Sequence, residues 1–217
     1  MAATDDLVRD RELVADAHDR LVERLRSLVG CGGLDAGGAS RLPGWTRGHV
    51  LTHLARNADG LRGLVEAAER GEEADQYPGG AERRTRDIEA GAGRAADELV
   101  DDVATSASRL EAAWAGTDGA GTGRVASGTL PMTDVAFHRL REVWLHAVDL
   151  DVGFEPADLD ATYVRLELRR MEMRWAARRP MGMTPLPEAV LALDPPLRVA
   201  WFAGRRELDG VAPAGLL

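Results

Sequence analysis

Residues 141–150 read REVWLHAVDL and residues 44–60 read GWTRGHVLTHLARNADG, and these two stretches organise the chain. Each holds two potential metal ligands four residues apart: Glu142 and His146 in the first, His49 and His53 in the second. Side chains at i and i+4 lie on the same face of an α-helix. We therefore expect two helices that each present a pair of ligands, brought together by packing into one site.

Hydrophobic residues recur every three or four positions in four segments, which predicts four helices. We expect them over residues 4–29, 46–70, 95–115 and 129–152. Thr46 is well placed to cap the second helix. Four helices joined by loops, with almost no strand, predict a mainly α fold in which residues 1–155 form a four-helix bundle.

The segments between these helices are rich in glycine and charge. Residues 71–93 predict a surface excursion with a short helix at 82–89, and residues 116–128 predict a loop.

The sequence changes character after residue 155. An arginine-rich amphipathic helix is expected over residues 160–179, and the chain from 181 onward breaks into short apolar runs divided by proline and glycine. Residues 156–217 are too few for a large core of their own. They predict a small α+β or helical appendage that packs on the bundle as short helices with one or two strands.

Composition excludes several classes of protein. The net charge of −9 argues against nucleic-acid binding, although all 27 basic residues are arginine. No apolar run approaches the roughly 20 residues of a membrane span, and the polar start of the chain does not resemble a secretory signal. The single cysteine, Cys31, suits a reducing compartment, so we expect a cytoplasmic protein.

Two histidines and one carboxylate form the ligand set of many catalytic zinc sites, with a fourth position left open. His53, Glu142 and His146 provide such a set, and nitrogen and oxygen ligands suit Zn²⁺ or another divalent ion. His49 and His138 compete for the same places, but both lie near the opening turns of their helices. Solvated histidines beside an ion-paired Glu142 would explain the same spacing without a metal.

Neighbouring residues could support these ligands. Asp149 follows His146 by three residues and could accept its second ring N–H, and Asn57 could orient a ligand. Trp45 and Trp144 favour core packing or a pocket wall. His18, within the first helix, is expected to be solvated or to serve as a cap.

At these motifs the sequence resembles the mycothiol-dependent maleylpyruvate isomerase family, within the DinB-like metal-binding four-helix bundles. The resemblance rests on GWTRGHVLTHLARNADGL, on REVWLHAVDL and on RGEEADQYPGGAERRTRDIEAG between the second and third helices. It covers residues 5–155 well. It is looser over the C-terminal part, where AGRRELDG resembles the family's AGRG-type segment and the appended region is shorter than usual.

The resemblance implies a zinc site held by His53, Glu142 and His146. It also implies a catalytic, substrate-binding arginine at Arg205 and a second substrate-binding arginine at Arg84, beside Arg83. The implied reaction is the cis–trans isomerisation of maleylpyruvate to fumarylpyruvate in gentisate-type aromatic breakdown. A low-molecular-weight thiol, mycothiol, would supply the nucleophile, and arginines suit a dicarboxylate substrate.

Two other hypotheses fit the same residues. One is a mycothiol S-transferase that adds the thiol to another electrophile and consumes it. The other is a non-catalytic metal-binding bundle, in which a further protein ligand such as His49 closes the site. A monomer or a homodimer is compatible with each.

Overall fold

The structure is a computed structural model that describes residues 2–178 and 184–216. The chain is mainly helical, which confirms the predicted fold class. It divides into two compact units, Met1–Val152 and Gly153–Leu217. Residues 179–183, which include the end of the helix predicted over 160–179, lie outside the described residues.

Four long helices form the first unit. They are α1 (Ala2–Gly30), α2 (Arg47–Glu69), α4 (Ala96–Trp114) and α5 (Val135–Asp149), with the shorter α3 (Gly80–Ala92) between α2 and α4. α2 packs along α4, and α5 packs along α1. The apolar stripe of α2 is fully buried at Leu51, Leu54 and Leu61. Each such leucine contributes roughly 1.5–3 kcal/mol to stability, which fixes the rotation of α2 about its axis.

The start of α2 follows from its capping residues. The Thr46 hydroxyl accepts a hydrogen bond from the backbone N–H of His49, and His49 Nδ1 accepts one from the backbone N–H of Thr46. This reciprocal pair satisfies two of the N–H groups that a helix leaves free at its first turn. The predicted cap at Thr46 is therefore present.

Residues 71–93, which we call the docked segment, differ from the expected surface excursion. Their helix α3 is longer than the predicted 82–89, and Ile88 and Ala92 are buried. The segment approaches α2 where glycine removes the side chain. A Cβ at Gly60 would lie 2.5 Å from the carbonyl oxygen of Gln76, and one at Gly48 would collide with the Ala92 carbonyl. The backbones touch directly, so the segment is held against α2.

A β-hairpin replaces the loop expected at 116–128 and the first turn of the helix expected from 129. β1 (Thr122–Val125) pairs antiparallel with β2 (Gly128–Pro131), and a 3₁₀ turn then leads into α5. Arg124 exchanges two backbone hydrogen bonds of 2.8 Å with Ala74 and Gln76. Strands of four residues rich in glycine and threonine carry no apolar alternation, which is why the pattern did not reveal them.

The second unit is helical where it is described. Its helices are α6 (Ala161–Ala176), α7 (Glu188–Leu191) and α8 (Pro195–Phe202), and α6 begins at an Asp160 cap. Trp175, Trp201 and Phe202 pack their rings together. The expected short strands are absent from the described part of this unit, where the pairing is limited to an isolated bridge between Leu208 and Val211. None of the described helices combines the length and apolar character needed to cross a bilayer.

Candidate metal centre

Three potential metal ligands from two helices meet inside the bundle. α2 provides His53 from its second turn, and α5 provides Glu142 and His146 from successive turns of one face. Their ligand atoms all lie within 4.8 Å of one another. The four-residue spacing on α5 and the packing of α2 beside α5 produce this cluster.

The donor atoms converge on one oxygen of Glu142. His53 Nε2 lies 3.0 Å from Glu142 Oε2, and His146 Nε2 lies 3.6 Å from the same oxygen. The two imidazole rings meet edge to face, with centroids 4.7 Å apart. The side chain of His53 is 5% exposed, whereas that of Glu142 is 22% exposed. The cluster is thus enclosed by protein and keeps some access to solvent at the carboxylate.

Burial and mutual charge set the protonation of the cluster. Burial lowers the pKa of His53 to about 4, so this ring is neutral at pH 7. Burial acts against the charged form of Glu142, but hydrogen bonds from His146 and His53 hold its pKa well below the usual range. Burial also acts against a charged His146, yet the carboxylates of Asp149 and Glu142 raise its pKa.

The donor set fits a divalent cation. Two nitrogens and a carboxylate at metal distances of about 2.0–2.2 Å would lie about 3.3 Å apart around a tetrahedral ion, near the 3.0 and 3.6 Å found here. Three protein ligands leave a position for an exogenous ligand. His53, Glu142 and His146 are therefore the residues that could hold a metal.

Asp149 lies behind His146. Its Oδ2 is 2.9 Å from His146 Nδ1, and the Asp149 side chain is fully buried. A carboxylate at Nδ1 directs the lone pair of Nε2 toward the cluster and makes the ring a stronger ligand.

His49 and His138 are not members of the cluster formed by the described residues. Both ring nitrogens of His49 are engaged elsewhere, because Nδ1 serves the helix cap and Nε2 lies 3.2 Å from Glu89. His138 is half-buried on α5, one turn before Glu142.

Arg84, on α3, reaches the cluster from the docked segment. Its Nη2 lies 3.1 Å from His53 Nδ1. Its guanidinium also lies over two aromatic rings, 5.9 Å from the centroid of Trp45 and 5.5 Å from that of Tyr77. The neighbouring Arg83 pairs instead with Asp87. Of the two adjacent arginines, Arg84 is the one beside a candidate ligand.

Arg205 belongs to the second unit, just after α8. Its guanidinium donates a hydrogen bond to the carbonyl of Ala203, and its backbone N–H bonds to the carbonyl of Ala200. Its role toward a substrate stays a prediction.

Sequence reasoning missed a buried arginine network beside the cluster. Arg139 is fully buried and donates to His18 Nε2 at 3.0 Å and to Asn57 Oδ1 at 2.9 Å. His18 in turn lies 2.6 Å from Glu111. The prediction of a solvated His18 is wrong, because its ring lies between an arginine donor and a carboxylate acceptor. Hydropathy gives no signal for an arginine in a core.

Sequence reasoning also missed Tyr77, which follows the residues Ala74–Gln76 that pair with the hairpin. Tyr77 is half-buried, and burial raises the pKa of its phenol while the nearby Arg84 and Asn57 side chains oppose this shift. An isolated tyrosine before Pro78 and two glycines carried no recognisable pattern.

Comparison with known protein families matches residues 14–151 to the mycothiol maleylpyruvate isomerase N-terminal domain. The chain belongs to this family. Two solved structures are similar: a mycothiol-dependent maleylpyruvate isomerase and a variant of it with one histidine changed to alanine. Each matches at 30% identity with a TM-score of 0.70, over 79% of this chain and 72% of the solved chain. Comparison with curated proteins gave no match.

The match confirms the resemblance read from the motifs of the maleylpyruvate isomerase family. It also confirms the helical bundle, since the similar structures cover most of this chain. The candidate cluster and the docked segment both lie within the matched residues.

Proposed function

We propose that this chain is a metal- and mycothiol-dependent cis–trans isomerase that converts maleylpyruvate to fumarylpyruvate in the breakdown of aromatic compounds. The convergence of His53, Glu142 and His146 carries this proposal, because a three-ligand site with an open position is what a thiol-binding metal requires. Membership of the maleylpyruvate isomerase family supports it.

We take zinc as the metal, because two histidines and one carboxylate form the ligand set of many catalytic zinc sites, although another divalent ion suits the same ligands. When bound, the metal would supply a Lewis acid that keeps the mycothiol sulfur as a thiolate at neutral pH, for reversible addition to the substrate double bond. The neutral ring of His53 keeps a lone pair on one nitrogen, and it would hold the metal through Nε2 once its ring proton is on Nδ1. Asp149 would hold His146 in the tautomer that coordinates through Nε2.

Arginines would bind the carboxylates of the substrate. Arg84 is already placed beside His53, and the rings of Trp45 and Tyr77 restrict its guanidinium. An arginine ordered before the ligand arrives loses less side-chain entropy on binding. We propose Arg84 as a substrate-binding residue on its place beside His53, and Arg205 as a catalytic, substrate-binding residue on the family motif alone.

The test is a spectroscopic assay of zinc-loaded protein on maleylpyruvate, with and without mycothiol, in which free thiol is measured in parallel. We expect fumarylpyruvate to form only with both zinc and thiol, and no thiol to be consumed. A loss of thiol equal to the substrate converted would instead identify an S-transferase. Zinc bound at one per chain without any conversion would favour a metal-binding bundle that does not catalyse.

A further inference from the structure

We propose that Arg84 controls which ring nitrogen of His53 carries the proton. His53 can then hold a metal only when Arg84 gives up its hydrogen bond to the ring, and this release frees the guanidinium to bind a carboxylate. The inference rests on the proposed function, because it concerns the same metal site and the same substrate-binding arginine. It adds a coupling between metal and substrate that neither the motifs nor the ligand set indicates.

The two histidines of the ligand cluster (His53, Glu142 and His146) have opposite partners at Nδ1. Nδ1 of His146 lies 2.9 Å from Oδ2 of Asp149, a carboxylate oxygen that accepts. Nδ1 of His53 lies 3.1 Å from Nη2 of Arg84, and a guanidinium offers only donors. His146 therefore carries a proton on Nδ1 and keeps the lone pair of Nε2 for a metal, whereas Nδ1 of His53 accepts and carries no proton.

The other nitrogen of His53 is closed to a metal in this arrangement. With no proton on Nδ1, the neutral ring has its proton on Nε2, where Oε2 of Glu142 lies 3.0 Å away as the acceptor. A ring nitrogen that carries a proton has no lone pair for coordination. His53 thus has the position of a ligand but the tautomer that excludes a metal.

To hold a metal through Nε2, the His53 ring must change its tautomer. It would lose the proton at Nε2 and gain one at Nδ1, with solvent as the proton carrier, so the charge of the ring does not change. Nδ1–H would then face the N–H groups of Arg84, and two donors cannot share a hydrogen bond. Arg84 must therefore turn Nη2 away from the ring, and Nδ1–H can donate to water, as the second nitrogen of a metal-bound imidazole commonly does.

The released arginine stays beside the ligand cluster. The rings of Trp45 and Tyr77 lie 5.9 and 5.5 Å from its guanidinium, so a small rotation redirects Nη2 while these cation–π contacts persist. Arg84 is half-buried, and a charged donor that has lost its partner there favours a substrate carboxylate. Metal and carboxylate thus stabilise the same orientation of Arg84, and each raises the affinity for the other by the same factor.

The tautomer of His53 tests the first step. Nitrogen NMR of protein with isotope-labelled histidine distinguishes protonated from unprotonated ring nitrogens, and comparison with His53→Gln identifies the signals of this ring. We expect the proton on Nε2 in metal-free protein and on Nδ1 after zinc is added. A proton on Nδ1 without zinc would overturn the proposal. So would a zinc-loaded ring with no proton, because Arg84 would then remain bonded to an imidazolate.

Zinc affinity tests the competition. Arg84→Met removes the competing donor, so zinc should bind this variant about tenfold more tightly than the wild type, the factor expected for one hydrogen bond to a charged group. Arg83→Met is the matched control, because it also removes a positive charge from α3, but Arg83 pairs with Asp87 and should not affect zinc. Weaker zinc binding by Arg84→Met would overturn the proposal, since Arg84 would then support the ligand.

Succinate, an unreactive dicarboxylate, tests the coupling by calorimetry. Zinc should tighten the binding of succinate to the wild type by about tenfold more than its binding to Arg84→Met, in which only direct contact with the metal remains. An equal gain in the two proteins would overturn the coupling.

Failure of the proposed function is distinguishable. If the wild type binds no zinc, the proposed function and this inference both fail. If it binds zinc and isomerises maleylpyruvate but His53 keeps one tautomer, the inference alone is overturned. Zinc binding with the expected change of tautomer but without isomerisation would overturn the proposed reaction and support the inference.

Discussion

The ligand cluster and the buried arginine network (Arg139, His18, Asn57 and Glu111) both draw on α2 and α5, but for opposite purposes. In the cluster, the Nε2 atoms of His53 and His146 both approach one carboxylate oxygen. In the network, Arg139 supplies the donors, and His18 is engaged at both ring nitrogens. The ligand cluster brings together atoms that carry lone pairs, whereas the network already contains a cation, the guanidinium of Arg139.

The difference shows how a buried histidine can be classified. Arg139 stays protonated even though burial lowers its pKa to about 10, so it acts as a permanent cation within the core. Glu111, Asn57 and a backbone carbonyl complete the network. The cluster has a surplus of acceptors, which a divalent ion would satisfy.

Removing a ligand should have the largest effect. His53→Ala leaves two ligands on one helix, so zinc should fall from one per chain to near zero, and isomerase activity should fall by more than about 10³-fold, since a two-ligand site loses both affinity and geometry. Metal analysis of the dialysed protein measures the first effect and the maleylpyruvate assay the second. Chelation of the wild-type protein should give the same loss, reversed by added zinc.

His49→Ala is the matched control, because this histidine also lies on α2 but serves the helix cap. It should keep its zinc and most of its activity. Loss of zinc in His49→Ala, or its retention in His53→Ala, would contradict the assignment.

Removing Arg139 should mainly cost stability. Arg139→Met leaves His18 and Asn57 without their donor in the core, so we expect the free energy of unfolding to drop by about 3–5 kcal/mol. Urea unfolding of the metal-free protein measures this. Zinc should still bind at one per chain under native conditions, whereas coupled loss of zinc and stability would show that the two regions are not separate.

A substitution at a glycine of α2 should displace the docked segment without changing any polar residue. Gly60→Ala places a Cβ 2.5 Å from the Gln76 carbonyl, so it should cost about 1–3 kcal/mol and lower kcat/KM by shifting the docked segment, which carries Arg84. Gly63→Ala, on the same helix with open space around it, should stabilise the protein by about 0.5–1 kcal/mol and keep its activity. Equal behaviour of the two variants would contradict direct contact between the backbones.

The smallest expected effect is a loss of stability at acidic pH that comes from His18 in the arginine network. Burial lowers the pKa of His18 below 6.5, so the folded protein favours the neutral ring. The contribution of this buried ring to the free energy of unfolding is complete above the pKa of the unfolded state and is lost as the pH falls below it. Metal-free wild-type protein should therefore lose stability below pH 6.5 more steeply than His18→Gln, by up to about 1.4 kcal/mol per pH unit. Parallel curves from urea unfolding at several pH values would refute this.

The helices of the bundle were predictable because their leucines follow a helical period, and α2 begins at the expected Thr46. The ligand spacing narrowed the site to five residues, and the family motifs then selected three that the structure brings together. Their binding of a metal stays a prediction.

The remaining features lacked a local signal. The hairpin has no apolar alternation, and Tyr77 lies in a segment of glycine and charge. No local pattern around Arg139 marks an arginine as buried, and its burial becomes favourable only when His18 and Asn57 arrive from two other helices. These contacts depend on tertiary packing, which a single sequence does not display.

The contact of Gly48 and Gly60 with the docked segment also bears on how this site could evolve. Because the main-chain carbonyls of Gln76 and Ala92 make these two contacts, they do not depend on which side chains stand at Tyr77 and Arg84. Tyr77 and Arg84 could be exchanged for other residues while the segment kept its position. The same scaffold could thus acquire new substrates by changing a few side chains beside a fixed cluster of ligands.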